Sequence, residues 1–381
     1  MRLVIKRNEL LQALQIVQRA VPVRTTKPVL YGILLKSTNT NLQITSYDME
    51  IGIHTVIQHL PESEEYSLQI EEEGEIVLNA KYLIEIVKKL PQPLLRMDVQ
   101  DLTAIIHSGK ATYTLNGMDP KEYPELPELE KNDGLIIQSD TLRTLIDHTV
   151  FAVSNSDTRA ALTGVLVKYY ESTIRFISTD SHRLSVQLKE IDAPITYEPI
   201  ETIIPGKSLQ ELSRILPDDD TMVSIFKISN KIFISYKHTI FYSRLIDASY
   251  PDVSRIIPTS YKTLIHINGK KMIECIERAG LLAKDNENQV VRIHLKPSYI
   301  EVSSHSPEIG KITETIESDL FSGENMLIAC NAKYLMEALR ALGGNPIKIE
   351  FTGPGSAFVL TDLNDDHHKH LILPVRTSQL Q

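Results

Sequence analysis

The chain has no tryptophan, only two cysteines and a shortage of basic charge: among 381 residues, 40 Lys and Arg stand against 49 Asp and Glu, a net charge of −9. Two isolated thiols, Cys275 and Cys330, build neither a disulfide framework nor a Cys-rich metal site, so both are expected to be free, buried thiols in a reducing compartment. No apolar stretch of about 18 residues occurs and no leader pattern opens the chain, so a soluble, cytoplasmic protein without a membrane partner is expected. A Gly-rich phosphate loop, a Walker motif, a zincin helix and a G-x-S-x-G elbow are also missing, which removes the common signatures of nucleotide binding and hydrolysis. The acidic balance leaves none of the bulk basic character that announces a nucleic-acid binder.

What the chain does have is a long internal repeat. Leu78–Pro91 reads LNAKYLIEIVKKLP, Ile204–Pro217 reads IPGKSLQELSRILP and Cys330–Gly343 reads CNAKYLMEALRALG; 204 − 78 and 330 − 204 are both 126. A fixed period says that one folding unit has been copied. Apolar residues at helical spacing (Leu83, Val87 and Leu90; Leu209, Leu212 and Leu216; Leu335, Leu339 and Leu342) predict a helix in each copy, closed by Pro or Gly. Lys81 and Lys88, Lys207 and Arg214, and Lys333 and Arg340 are each two helical turns apart, so each pair shares a face. An acidic chain that gathers cations on equivalent faces can attract a polyanion there and repel it elsewhere.

Around these helices the pattern alternates with a period of two. Leu3 and Ile5 predict an opening strand, Asn8 a cap for the helix that follows, and Leu30–Leu35 a further strand answered by Leu162–Val167 in the second copy. Each copy thus reads as strands with two helices, an α+β unit with its helices against antiparallel sheet. Loops at Glu125–Asn132 and Ile257–Tyr261 divide the chain into domains 1–128, 129–257 and 258–381.

Two constellations carry possible chemistry. Ser178, Asp180 and His182 hold the letters of a nucleophilic triad, but on one strand they would stand about 6–7 Å apart, too far for the hydrogen bonds a triad needs. Asp365-Asp366-His367-His368-Lys369-His370 offers metal-ligand types without a second cluster to close a site, and reads as a solvated hairpin tip, with the final strand at Leu371–Val375. Arg24, in the basic turn Arg24–Pro28, gains weight from the cationic helices, because phosphate contacts add to one another.

The tripled unit, the turn Arg24–Pro28, the run Thr179-Asp180-Ser181-His182-Arg183-Leu184, the segment Arg244–Asp252 (RLIDASYPD) and the ending Leu371–Arg376 (LILPVR) together resemble the bacterial DNA polymerase III beta subunit family, the sliding clamps, over the whole chain. The resemblance implies the DNA-clamp fold: two three-domain chains joined head to tail in a ring whose helices line a hole around duplex DNA. It implies a non-catalytic processivity factor without cofactor or metal, cytoplasmic at the nucleoid. Its partners would be double-stranded DNA without sequence preference, a second copy, the polymerase III alpha subunit, a clamp loader and other clamp-motif proteins.

By the same resemblance Arg24, Lys81, Ser156, Lys207, Asn331, Lys333 and Tyr334 match DNA-contacting positions. Leu162, Thr179, His182, Arg183, Leu184, Pro251, Arg255 and Ile256 match the peptide-binding pocket, with Leu371, Leu373, Pro374, Val375 and Arg376 from the chain's end. Arg183, Arg255 and Arg376 would rim that pocket. Tyr113 would meet Leu281 and Leu282 of the other chain at the ring seam. Two departures stand out: Ser181 occupies a position where the family usually has Gly, and Thr377–Gln381 runs past the usual end. They leave open a divergent second clamp serving a restricted set of repair or specialised polymerases. The rivals are a hydrolase using Asp180 and His182 and a repeat-built scaffold that never meets DNA.

Overall fold

The computed structural model describes residues 1–58, 67–129, 134–191, 199–283 and 289–376; Lys131–Asp133 at the first domain boundary and the extension Thr377–Gln381 lie outside the described residues. Among these there are six α-helices: α1 (Arg7–Val17), α2 (Ala80–Lys89), α3 (Ser139–Asp147), α4 (Gly206–Ile215), α5 (Gly269–Ala283) and α6 (Ala332–Ala341). The marker helices α2, α4 and α6 start at Ala80, Gly206 and Ala332, keeping the 126-residue step. Leu83 and Val87, Leu209 and Leu212, and Leu335 and Leu339 are buried, as the helical spacing requires. Asn8 does not cap α1: the helix begins one residue earlier, and Asn8 accepts hydrogen bonds from Arg7 instead.

The chain folds as two compact units, Met1–Asp140 with Arg214–Leu245, and Thr141–Ser213 with Ile246–Gln381. The first holds an antiparallel five-stranded sheet in the order Leu68–Glu72, Arg2–Lys6, Leu94–Gln100, Thr103–Ser108, Ala111–Asn116. On it alternate residues such as Leu3, Ile5, Leu95, Met97, Ala104 and Ile106 are buried, and α1 packs on α2. Its eight-stranded sheet joins two copies, since Thr239–Arg244 pairs with Ile51–Gln58 in the register Phe241 to Ile53. The second unit repeats the device. Strand Arg183–Glu190 pairs with Asp365–Ile372, with Leu184 opposite Leu371, inside a nine-stranded sheet. A four-stranded sheet, Gly310–Glu317, Tyr299–Ser306, Val290–Lys296 and Met326–Asn331, packs on α5, whose Met272, Ile276 and Ala279 enter the same core as Leu335 and Leu339.

The expected strands at Leu30 and Leu162 start later, at Gly32 and Gly164, each after a short 310 turn. A Cβ on Gly32 would lie 2.3 Å from a Val77 methyl carbon, and one on Gly164 2.6 Å from a methyl carbon of Ile203, so the bare backbone is what lets the neighbouring strand close in. Val77 and Ile203 are themselves one repeat apart, which explains why both copies have glycine there.

Candidate functional site

Lys81, Lys207 and Lys333 are each the second residue of their helix, and all three are exposed. A cation in the first turn opposes the helix macrodipole and on its own account is unfavourable. The same exposed cation recurs at the start of all three helices, where a helix N-terminus and a lysine are additive attractions for an anion. Asn331 caps its helix: its Oδ1 accepts from the Tyr334 backbone N–H at 3.1 Å, as Asn79 does from Tyr82 at 3.4 Å. Of the two-turn partners, Arg340 is ion-paired to Glu277 of α5, so the third copy's face carries less net charge than the sequence suggests. Arg24 is exposed in its turn, which is pinned by Thr25 N–H on the Tyr31 hydroxyl. Ser156, also exposed, caps the turn 157–163 through the Thr158 N–H.

The second unit contains a polar groove of about 510 Å³, walled by the loop Val153–Arg159, the turn Asp180–Arg183, and Lys333 and Tyr334 of α6. It brings Ser156, His182, Arg183, Lys333 and Tyr334 together. Residues 180–182 form a turn rather than part of a strand. Asp180 Oδ1 accepts from the N–H groups of His182 and Arg183 at 2.9 and 3.1 Å, and Oδ2 from Arg183 Nε at 3.0 Å. Ser178 is buried and donates to the Thr149 carbonyl at 2.5 Å. Among the described residues no hydrogen bond joins the His182 ring to either, so no triad exists; the imidazole stacks on Tyr334.

Arg183 is not the rim cation the sequence suggested. It is 7% exposed, ion-paired to Asp180 and Glu337, bonded to the Phe151 carbonyl at 2.6 Å, and layered between Phe151 and Tyr334. Its charge is consumed internally. Arg159, which the sequence reading passed over, faces the groove instead; only the acidic and aromatic partners of Arg183, 154 residues away in the case of Glu337, decide which arginine is spent.

The apolar positions divide. Leu162, Leu184 and Leu371 are buried, the last two in one cluster with Ile177 and Val359, whereas Ile256 and Leu373 are 48% and 40% exposed. Pro251, Arg255 and Arg376 are exposed, and Pro374 and Val375 half-buried. The C-terminal segment is strapped in place by Leu373 N–H on the His182 carbonyl at 2.9 Å and Val375 N–H on Ala329 at 2.7 Å. Thr179 is fixed twice: its N–H donates to the Tyr250 hydroxyl, and its hydroxyl to the Arg183 carbonyl. A neighbouring cavity of about 260 Å³ lies over Leu166, Ile177 and Val186, with Tyr250 and Pro251 in its wall.

Asp365–His370 is solvated at Asp366 and His367, beside the hairpin turn, but not beyond them. It belongs to the strand Asp365–Ile372, which ends before most of the expected Leu371–Val375 strand, and its His368 and His370 are buried. His368 stacks on His148 at 4.2 Å and meets His370 edge-on at 4.4 Å. The alternation of the pleat sends both imidazoles inward, a consequence a loop reading of the segment misses.

Tyr113 lies half-buried on Ala111–Asn116, the edge strand of the five-stranded sheet, while at the end of α5 Leu281 is 61% exposed and Leu282 half-buried. Strand Gly310–Glu317 is likewise an edge, in the four-stranded sheet.

Three family models match the chain in succession: the DNA polymerase III beta subunit N-terminal domain over residues 1–127, its central domain over 136–252 and its C-terminal domain over 254–376. The chain is 41% identical to the beta sliding clamp of Bacillus subtilis, over 99% of this chain and 100% of that one, and 37% identical to the beta sliding clamp of Halalkalibacterium halodurans at the same coverage. The crystal structure of the Bacillus subtilis clamp superposes with a TM-score of 0.94 over 99% of both chains, and that of the Streptococcus pneumoniae beta chain, 32% identical, with 0.93 over 99% and 100%. The hydrogen-bonded turn at Asp180, the strapped C-terminal segment and the thrice-repeated helix with its first-turn lysine thus sit in a protein that belongs to the DNA polymerase III beta subunit family, the beta sliding clamps.

Proposed function

We propose that the chain is a processivity factor: two copies close head to tail into a ring that encircles duplex DNA, slides on it and tethers the replicative polymerase and other clamp-motif proteins. The observation that carries the reading is the exposed lysine in the first turn of α2, α4 and α6, kept in register through three copies. Contacts of this kind, to phosphate alone, give a sequence-independent and salt-sensitive attraction that permits sliding, while closure of the ring supplies retention. Arg24 and Ser156 would add contacts from exposed turns. The three matched spans support domains meeting near residues 128 and 257. The role is that of a non-catalytic subunit, and the polar groove with the exposed Ile256, Leu373 and Pro251 would receive the peptide motifs of its clients, a concave site with few polar fixings.

The test is retention on DNA after loading. Protein loaded on nicked circular plasmid is expected to stay through gel filtration and to leave when the plasmid is linearised. Equal retention on both forms would exclude topological linkage and leave an ordinary DNA-binding protein.

A further inference from the structure

A hydrogen bond joins the loop and the turn that wall the polar groove: Arg159 Nη2 donates to the Ser181 hydroxyl at 2.7 Å. The two residues stand on different walls. Arg159 is aimed by a kink, since its φ of −126° and ψ of 89° break the helical turn 157–163. Ser181 is held in the left-handed region at φ 81° by its own N–H on the Thr179 hydroxyl and by the Asp180 bonds to the next two N–H groups. A serine there accepts backbone strain that glycine would avoid, so its hydroxyl is placed, not incidental. Among the described residues neither Arg159 nor Lys333 of the same groove meets a carboxylate, and the groove's acid, Asp180, is spent on Arg183.

We propose that the Arg159–Ser181 bond is a latch across the groove, broken when an acidic peptide enters and the guanidinium exchanges the serine hydroxyl for a carboxylate. This rests on the peptide-binding reading and names Ser181 as a residue that lowers its affinity and Arg159 as the one that sets its selectivity. A carboxylate offers two oxygens to the planar guanidinium where the hydroxyl offers one, so the exchange favours acidic peptides, whereas a neutral peptide breaks the latch without replacement. Removing the acceptor while keeping Arg159 therefore frees the groove for both peptides.

Isothermal calorimetry with two synthetic pentapeptides, each containing glutamine, two leucines and a terminal phenylalanine, with aspartate or serine at the centre, separates the possibilities. Ser181→Ala retains the left-handed strain of the parent, which Ser181→Gly would relieve. Ser181→Ala is expected to tighten both peptides roughly fivefold, the scale of one exposed charge-assisted hydrogen bond. In an Arg159→Ala background the same change is expected to do nothing, and the aspartate peptide to lose its advantage over the serine peptide. Unchanged affinity in Ser181→Ala, or an equal change in the Arg159→Ala background, overturns the latch while leaving peptide binding intact. Absence of binding by the parent protein overturns the peptide-site reading and the latch with it.

Discussion

Buried imidazoles tie the stability of this protein to pH. Burial holds His148, His368 and His370 below the ordinary histidine value, His368 down to about 3; repulsion from neighbouring imidazoles lowers His368 and His370 further, with Arg183 adding at His370, while Gln187, Asp147 and Asp365 pull His148 part of the way back. The neutral ring is the form that folds, while the unfolded chain takes its protons near pH 6.5. This contribution is therefore complete above about pH 6.5 and is lost progressively as pH falls toward 3, where His368 protonates in the folded state as well. His368 steepens the dependence by about 1.4 kcal/mol per pH unit inside that window. His370 Nε2 has no hydrogen-bond partner, so phenylalanine can replace the ring without stranding another group. Urea unfolding between about pH 5 and 7 should show a slope shallower by about one proton in His370→Phe than in the parent; equal slopes would mean that His370 takes up no proton on unfolding.

The helices carry predictions that separate stability from function. Lys81→Glu, Lys207→Glu and Lys333→Glu each replace a first-turn cation by an anion, a gain against the macrodipole offset by a like charge four residues on at Glu85, Glu211 or Glu337, so each should leave the melting temperature nearly unchanged while weakening DNA retention. The salt dependence of binding should shallow by roughly one unit for each phosphate contact removed. A triple variant that holds DNA as well as the parent would move the DNA path away from these helices. Asn331→Ala tests another role in the same turn: loss of the cap to Tyr334 should cost about 1 kcal/mol, seen in thermal or urea unfolding. The helices were legible because their signals are local: a period of 3.6, a cap, a stop and a register repeated three times. The shared sheets were not, since nothing in Thr239–Arg244 or Asp365–Ile372 says which strand of another copy each will join. The burial of Arg183 was hidden for the same reason, its acid Glu337 and its aromatic Tyr334 lying on α6.

At the scale of the whole molecule, two unpaired sheet edges ask for a partner. Strand Ala111–Asn116 closes the first copy's sheet and Gly310–Glu317 the third copy's, and each leaves one side of its backbone unpaired within the chain. Exposed edges invite pairing with another chain. If the first edge of one chain joins the third-copy edge of another, the contact is heterologous, and two chains close it twice into a ring that leaves neither of these two edges unpaired. Tyr113 lies on the first edge strand, while Leu281 and Leu282, the apolar groups assigned to the other side, end α5, which packs on strand Gly310–Glu317. Because Leu281 is exposed within a single chain, charging it should disturb folding little, whereas inside a seam it would bury an unpaired cation, a change costing several kcal/mol. Leu281→Lys with Leu282→Lys is expected to give a folded monomer: about half the parent's mass by light scattering, near-parental circular dichroism, and no retention on circular DNA, since an open chain encloses nothing. The lysine variants of α2, α4 and α6 should remain dimeric, which separates loss of closure from loss of phosphate contact. A Leu281 and Leu282 variant that keeps the parent's mass would place the seam on other residues and remove these two edges from its construction.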